Sequence, residues 1–248
     1  MTKIFVINLP SSVDRRDNIS AQFKQLDFAF EIFPAVNGRE DKHPLFTKYN
    51  EGQSQLYRGK SLSQGQLGCY ASHYLLWEKC VELDEPILII EDDALLHPLQ
   101  FKAFINQLPK LGDIECVRLF DNKRKAFRSN PVLPLEHITI AKFTKGHMSA
   151  TGYYLTPKGA QKLLAHSQQW YMAVDIYMDR FWINQVECYG TIPACLTNDP
   201  KFESDIGYDA KKPPRSFYTR CKREWFNLNE LIKREIHNLR FKIKNNKK

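Results

Sequence analysis

The stretch Pro86-Ile87-Leu88-Ile89-Ile90-Glu91-Asp92-Asp93 constrains this chain more than any other. A short, unbroken run of branched apolar residues is a strand buried on both faces, as found inside a parallel sheet with helices packed above and below it. An α/β fold follows. Three acids come next with no spacer. In an open α/β sheet, ligands gather beyond the carboxyl ends of the strands, which points such a cluster at a binding crevice. Hard oxygen ligands suit Mg²⁺ or Mn²⁺, ions that take one or two protein carboxylates and fill their other positions from substrate phosphates. A metal and diphosphate site is one reading. Acids that solvate a turn are the other, although adjacent carboxylates repel one another without a cation or partner.

The formal charge of +8 raises the question of nucleic acid, and its location answers it. From Arg215 onward there are 11 Lys and Arg against 3 acids, while residues 1–214 balance at 25 against 25. A neutral body argues against a phosphate-tracking groove, and a basic tail suits an anionic surface. The expected organisation is one domain over 1–214 and a basic tail over 215–248. In that tail Trp225, Leu228, Ile232, Ile236, Leu239 and Ile243 recur at three- and four-residue steps with Lys and Arg on the flanks. This is an amphipathic helix, to be laid on a membrane surface or packed on the body. The six cysteines show no Cys-x-x-Cys pair, and no stretch is apolar enough to span a bilayer. The expected location is cytoplasmic, peripheral on the inner face of the membrane.

Taken in order, Ile4 to Leu9 is a strand, and Ser11 to Arg16 opens a helix reaching about Leu26. Arg15 and Arg16 stand near that helix start, where the dipole disfavours cations. A nucleotide diphosphate or ribose would relieve them, as would a salt bridge to Asp14 or Asp17. Phe28 to Val36 is a second strand, ended by Asn37-Gly38, and Arg39 to Lys60 is a long loop of the lid kind. The helix from Ser63 carries Gly68, Ala71 and Ser72, small enough to admit another backbone. His73 beside them is either a core histidine or a ligand contact near the acids. A helix near Gln100 to Leu108 and a strand Glu115 to Phe120 follow, then a Pro-bounded loop from Lys123 to Pro134. Ser149 to Leu155 is a strand, Thr156-Pro157 caps a helix over Lys158 to His166, and Asp175 is placed to cap the next. Val186 to Leu196 is a last strand or pair of strands.

Four stretches together resemble glycosyltransferase family 25, which includes lipooligosaccharide galactosyltransferases and collagen-modifying sugar transferases. They are Val6-Ile7-Asn8-Leu9 with Asp14-Arg15-Arg16; Gly68-Cys69 with Ser72-His73 and Trp77; Ile87 to Asp93; and Thr151 to Leu155 with Gly159-Ala160. The resemblance covers roughly residues 1–200, and Gln66 departs from it where the family more often has Glu. It implies a GT-A-like nucleotide-binding domain with a mostly parallel central sheet and a C-terminal helical extension. It also implies an inverting hexosyltransferase using a UDP-sugar, most often UDP-galactose, and a β-1,4-galactosyltransferase acting on a lipooligosaccharide or other glycan.

Under that resemblance Glu91 and Asp93 hold Mn²⁺ or Mg²⁺. Asn8, Leu9, Arg15, Arg16, Ser72, His73 and Asp92 bind the donor. Inversion needs a base for the acceptor hydroxyl. Asp175 is the first candidate and Asp179, one helical turn on, the second, with Asp121 behind them. His147 is a further candidate for the metal shell. Two other classes fit parts of the sequence: a non-catalytic binder of anionic surfaces or nucleic acid, and a metal-dependent phosphohydrolase or nucleotidyltransferase using the same acids.

Overall fold

The computed structural model describes residues 2–202 and 217–245. Arg215, Ser216 and residues 246–248 of the expected tail lie outside the described residues, as does the boundary between the two expected domains. The chain runs β1 (Lys3–Asn8), α1 (Val13–Leu26), β2 (Glu31–Pro34), α2 (Glu51–Gln53), α3 (Gln64–Leu83), β3 (Ile87–Glu91), β4 (Ala94–Leu96) and α4 (Pro98–Asn106). It continues through β5 (Cys116–Arg118), β6 (Ser129–Leu135), β7 (Ile138–Phe143), β8 (Gly152–Leu155) and α5 (Pro157–Ala165). The last elements are α6 (Val174–Met178), α7 (Phe181–Asn184), β9 (Tyr189–Ile192), β10 (Leu196–Asn198) and α8 (Phe217–Asn245).

Eight strands form one sheet in the order β2-β1-β3-β8-β5-β9-β7-β6. Six run one way, and β8 and β7 oppose them. The sheet is thus mostly parallel in sense and mixed in its pairings. The expected buried strand, β3, sits near its centre, parallel to β1 and antiparallel to β8. Its residues alternate between two cores. Leu88 and Ile90, with Ile4 and Val6 of β1, pack on Phe23 of α1 and on Phe101 and Phe104 of α4. Ile87 and Ile89, with Phe5 and Ile7, pack on Tyr70 and Trp77 of α3 and Tyr177 of α6. Each such side chain contributes roughly 1.5–3 kcal/mol by burial, which fixes the direction in which the end of β3 points.

Helix entries follow the side-chain chemistry. Ser63 and Gln66 form a reciprocal capping box at α3, and the Thr156 hydroxyl accepts from Gly159 N–H at α5. Four expectations need correction. The segment expected as a loop to Pro134 contains β6, which pairs with β7 across a register shift between Pro131 and Leu133. β6 is the edge strand, where a proline lacking an N–H removes no ladder bond. The Arg39 to Lys60 loop holds a 3₁₀ turn (Pro44–Lys48), α2 and a π turn (Ser54–Arg58) closed by Gly59 at φ 69°. The second strand is shorter than Phe28 to Val36. Finally, α6 is capped at Ala173, so Asp175 lies inside its first turn and is not the cap.

The tail helix α8 lies on the body through a polar and aromatic face. Phe226 stacks on Tyr57 at 4.6 Å between ring centroids, and Glu230 accepts from Arg180 Nε at 2.6 Å and from Trp182 Nε1 at 3.3 Å. Asn238 donates to Thr144 O at 3.1 Å. The apolar stripe expected from the sequence faces outward: Trp225 is 70% and Leu239 59% exposed, with Leu228, Ile232, Ile236 and Ile243 exposed beside them.

Candidate active site

The parallel register of β1 and β3 sets Ile7 opposite Glu91, which brings Asn8 beside Asp92 at the carboxyl ends of both strands. Asn8 Nδ2 donates to Asp92 Oδ2 at 2.7 Å and to Ser12 O at 3.0 Å. Arg15, in the first turn of α1, donates from Nη1 to Asp92 Oδ1 at 3.2 Å. Burial pushes the Asp92 carboxyl up from its ordinary value, and Asn8 and Arg15 oppose that. A cavity of 320 Å³ opens here, walled by Leu9, Arg15, Ser72, His73 and all three acids. Arg16 is not on its wall. It pairs with Asp17 at 3.8 Å, the salt bridge that the sequence offered as its alternative.

Sequence reasoning missed the opposite wall, formed by Val36 to Glu40 with Gly65 and Cys69. Its signal was the pair of glycines. A Cβ on Gly38 would lie 1.8 Å from Gln64 O, and one on Gly68 would lie 2.4 Å from Val36 O, so the segment after β2 rests backbone to backbone on α3. Ser72 secures that contact, accepting from Val36 N–H at 2.9 Å and donating to Gly68 O at 2.8 Å.

His73 has both ring nitrogens engaged. Nδ1 lies 2.8 Å from the Tyr153 hydroxyl, which also accepts from Trp77 Nε1 at 2.9 Å, and Nε2 lies 3.1 Å from Glu91 Oε1. Burial alone would raise the Glu91 carboxyl, but the hydrogen bond and charge of His73 bring it below its ordinary value. Ligand atoms of Cys69, His73 and Glu91 lie within 4.8 Å of one another. In the metal-free protein both His73 ring nitrogens are engaged, and burial with the nearby Glu91 pushes the Cys69 thiol well up.

Glu91 with Asp93 fits a hard cation better. Asp93 Oδ2 accepts from Asn198 Nδ2 at 2.9 Å, but Oδ1 is buried with no hydrogen-bond partner among the described residues. Burial, then the Glu91 charge, pushes the Asp93 carboxyl up to about 7. A divalent ion would satisfy that oxygen and offset the repulsion. Asn198 reaches the site because β10 pairs with β4, directly after the acids.

Neither candidate base is on the cavity wall. Asp175 lies near enough for its charge to act on Cys69 and for that of Glu91 to act on it. Its carboxyl is pushed up by burial and then by Asp179. Asp179 is 2% exposed, with both oxygens engaged: Oδ1 by Arg118 at 3.3 Å, Oδ2 by Arg124 at 2.9 Å and by Met148 N–H at 3.1 Å. A Cβ on Gly146 would fall 2.0 Å from Asp179 Cγ, so this packing requires glycine there. Asp121 is exposed. His147 is a core residue against Phe143, with Nδ1 3.6 Å from Cys188 Sγ, and does not line the cavity.

The sequence model of Glycosyltransferase family 25 (LPS biosynthesis protein) matches residues 1–178, and the chain belongs to that family. It is similar to the lipooligosaccharide biosynthesis protein lic2B of Haemophilus influenzae, 29% identical over 215 residues, covering 82% of this chain and 78% of that protein. It is also similar to a glycosyltransferase 25 family member of Aedes aegypti, 29% identical over 173 residues, and to procollagen galactosyltransferase 1-B of Xenopus laevis, 26% identical over 171 residues. Those two matches cover 66% and 65% of this chain, which spans only 28% of the length of either protein. The family match contains the cavity, the acids and Asp175, and stops short of Asp179, Asn198 and α8.

Proposed function

We propose that this chain is an inverting glycosyltransferase of GT-A type that moves galactose from UDP-galactose to a hydroxyl of a lipooligosaccharide or other glycan, in β-1,4 linkage. The observation that carries it is the convergence on one cavity of Arg15, Asp92 and the unpartnered Asp93 oxygen, at the ends of β1 and β3. The names of the Haemophilus and Xenopus relatives support the choice of sugar and acceptor.

Mn²⁺ or Mg²⁺ held by Glu91 and Asp93 would supply Lewis-acid stabilisation of the negative charge that develops on the diphosphate. Arg15 adds a fixed positive charge on the same wall. Asp92, oriented by Asn8 and Arg15, accepts a hydroxyl of the ribose or of the donor sugar. In one displacement the acceptor oxygen bonds to the anomeric carbon, the bond to UDP breaks on the opposite face, and the acceptor proton passes to Asp175. A raised proton affinity suits Asp175 to that role. Asp179, with both oxygens occupied, positions the end of α6 and takes no proton.

The outward stripe of α8 supports docking on an anionic bilayer surface, and with it a cytoplasmic location, peripheral on the inner face of the membrane. Its apolar side chains are exposed in a row, and the Lys and Arg flanking them complement anionic headgroups. Turnover across a panel of UDP-sugars, followed by linkage analysis of the product, tests the activity. UDP release with UDP-galactose and a β-1,4 product are expected. Release of phosphate or pyrophosphate in place of UDP would overturn the proposal.

A further inference from the structure

A second cavity, of 260 Å³, lies between the body and α8. Arg58, Arg124, Arg180 and Arg234 line it, with Asp179 and Glu230 as its acids. The charges do not balance. Arg180 is matched by Glu230 and Arg234 by the neighbouring Glu235, at 2.6 Å and 3.0 Å. Arg118 and Arg124 share the single carboxylate of Asp179. Arg58 makes no hydrogen bond or ion pair among the described residues, though the charges of Asp175 and Glu230 reach it. Burial, then the nearby charge of Arg180, pulls its guanidinium down to about 10. Among the described residues, positive charge is therefore in excess in a half-buried cleft even with Asp175 counted, an arrangement that is unfavourable without an anion.

The cleft adjoins the reaction centre. Asp179 N–H donates to Asp175 O at 3.1 Å, and Ile176, the residue after Asp175, is part of the cleft wall. The charge of Asp175 thus acts on Arg58 of this cleft and on Cys69 of the donor cavity, and that of Glu91 acts on Asp175. An acceptor whose hydroxyl meets Asp175 therefore comes close to the positive charge of Arg58.

We infer that the cleft between the body and α8 binds an anionic substituent of the acceptor glycan, a phosphate ester or a carboxylate, chelated by Arg58 and Arg124. This rests on the glycosyltransferase reading for the identity of the ligand, though not for the anion site itself. Arg58 supplies paired donors matched to such oxyanions, and Arg124, whose Nε and Nη2 already donate to Gly146 O and Asp179 Oδ2, adds its remaining Nη1. It also gives α8 a part in the site, since Asn227, Glu230, Leu231 and Arg234 close one wall.

The test is calorimetry on the full chain with the donor site first filled by UDP and Mn²⁺, so that added anions report on the cleft. Inorganic phosphate and glucose 6-phosphate should bind, glucose should not, and Arg58→Gln should weaken glucose 6-phosphate roughly tenfold or more. Arg234→Gln is a second variant with the same expected direction. Without anion, Arg58→Gln should melt no lower than the parent, because it removes an uncompensated buried charge. Absence of glucose 6-phosphate binding, binding indifferent to Arg58→Gln, or preference for dihexanoyl phosphatidylglycerol over the sugar phosphate would overturn the inference. A protein that binds glucose 6-phosphate but fails to bind UDP would keep the anion site and defeat the donor reading instead.

Discussion

His73 Nε2 lies 3.1 Å from Glu91 Oε1, and this contact joins the middle of α3 to the end of β3. On its other side His73 is fixed by Tyr153, which is fixed in turn by Trp77. The orientation of Glu91 therefore depends on a chain of buried hydrogen bonds. Tyr153→Phe leaves the Trp77 N–H and one His73 nitrogen without their partner, at a cost of about 1–3 kcal/mol each. Metal affinity should also fall by roughly tenfold, as when a residue that orients a metal ligand is lost. Metal titration well below the melting temperature, beside a melting curve, checks both. Unchanged affinity would make the network purely structural.

Asp175→Asn should lower turnover by roughly 10²–10⁴-fold while UDP still binds, because it removes a group needed only in the transition state. Since Ala173 caps α6, no capping bond is lost. The substitution also removes a carboxyl whose pKa folding raises, so the variant should melt no lower than the parent at neutral pH. Asp179→Asn should behave in the opposite way, losing stability first, because Arg118 and Arg124 lose their shared charge. An Asp175→Asn variant of full turnover would move the base elsewhere.

The contribution of Asp93 to the stability of the metal-free protein should fall as pH rises toward neutrality. Asp93 is raised from 3.8 to about 7, so folding favours its protonated form. That contribution is fully present below about pH 3.8 and is lost as pH rises through about 7. Relative to Asp93→Asn, the parent should be progressively less stable from pH 4 to about 7 and level above that. Urea midpoints of both proteins in chelator read this directly, and parallel profiles would contradict it.

Substituting Trp225, Leu228 and Ile232 together by Ser should abolish sedimentation with phosphatidylglycerol vesicles and leave turnover of a small soluble acceptor near that of the parent. These side chains are 48–70% exposed, so their loss removes only part of the packing on the body. Binding by the parent should weaken with salt, each Lys or Arg contributing on the order of 1 kcal/mol near an anionic surface. Vesicle binding that survives the triple substitution would contradict membrane docking through this face.

The sequence revealed β3 and its acids because four buried branched residues in a row admit few alternatives. It revealed α5 through the local cap chemistry of Thr156, and the start of α3 at Ser63, whose capping box the structure adds. β6 was hidden by its prolines, which an edge position tolerates and a local reading cannot locate. Arg15 and Asp92 were singled out from the sequence and line the cavity, but Asn198 was not legible, since it lies 105 positions from the Asp93 it contacts. The stripe of α8 was legible as a pattern. Its outward direction was not, because the helix is held by Phe226, Glu230 and Asn238 on another face.

The most direct measurement of the central claim is the calorimetric affinity for UDP with Mn²⁺, with chelator, and in Asp93→Asn. A diphosphate and the Glu91 carboxylate repel one another without a cation, and a bound ion would also satisfy the buried Asp93 oxygen. Tight binding with Mn²⁺, and marked weakening both in chelator and in the variant with its fold intact, is the predicted result. Equal UDP affinity under all three conditions would contradict the account.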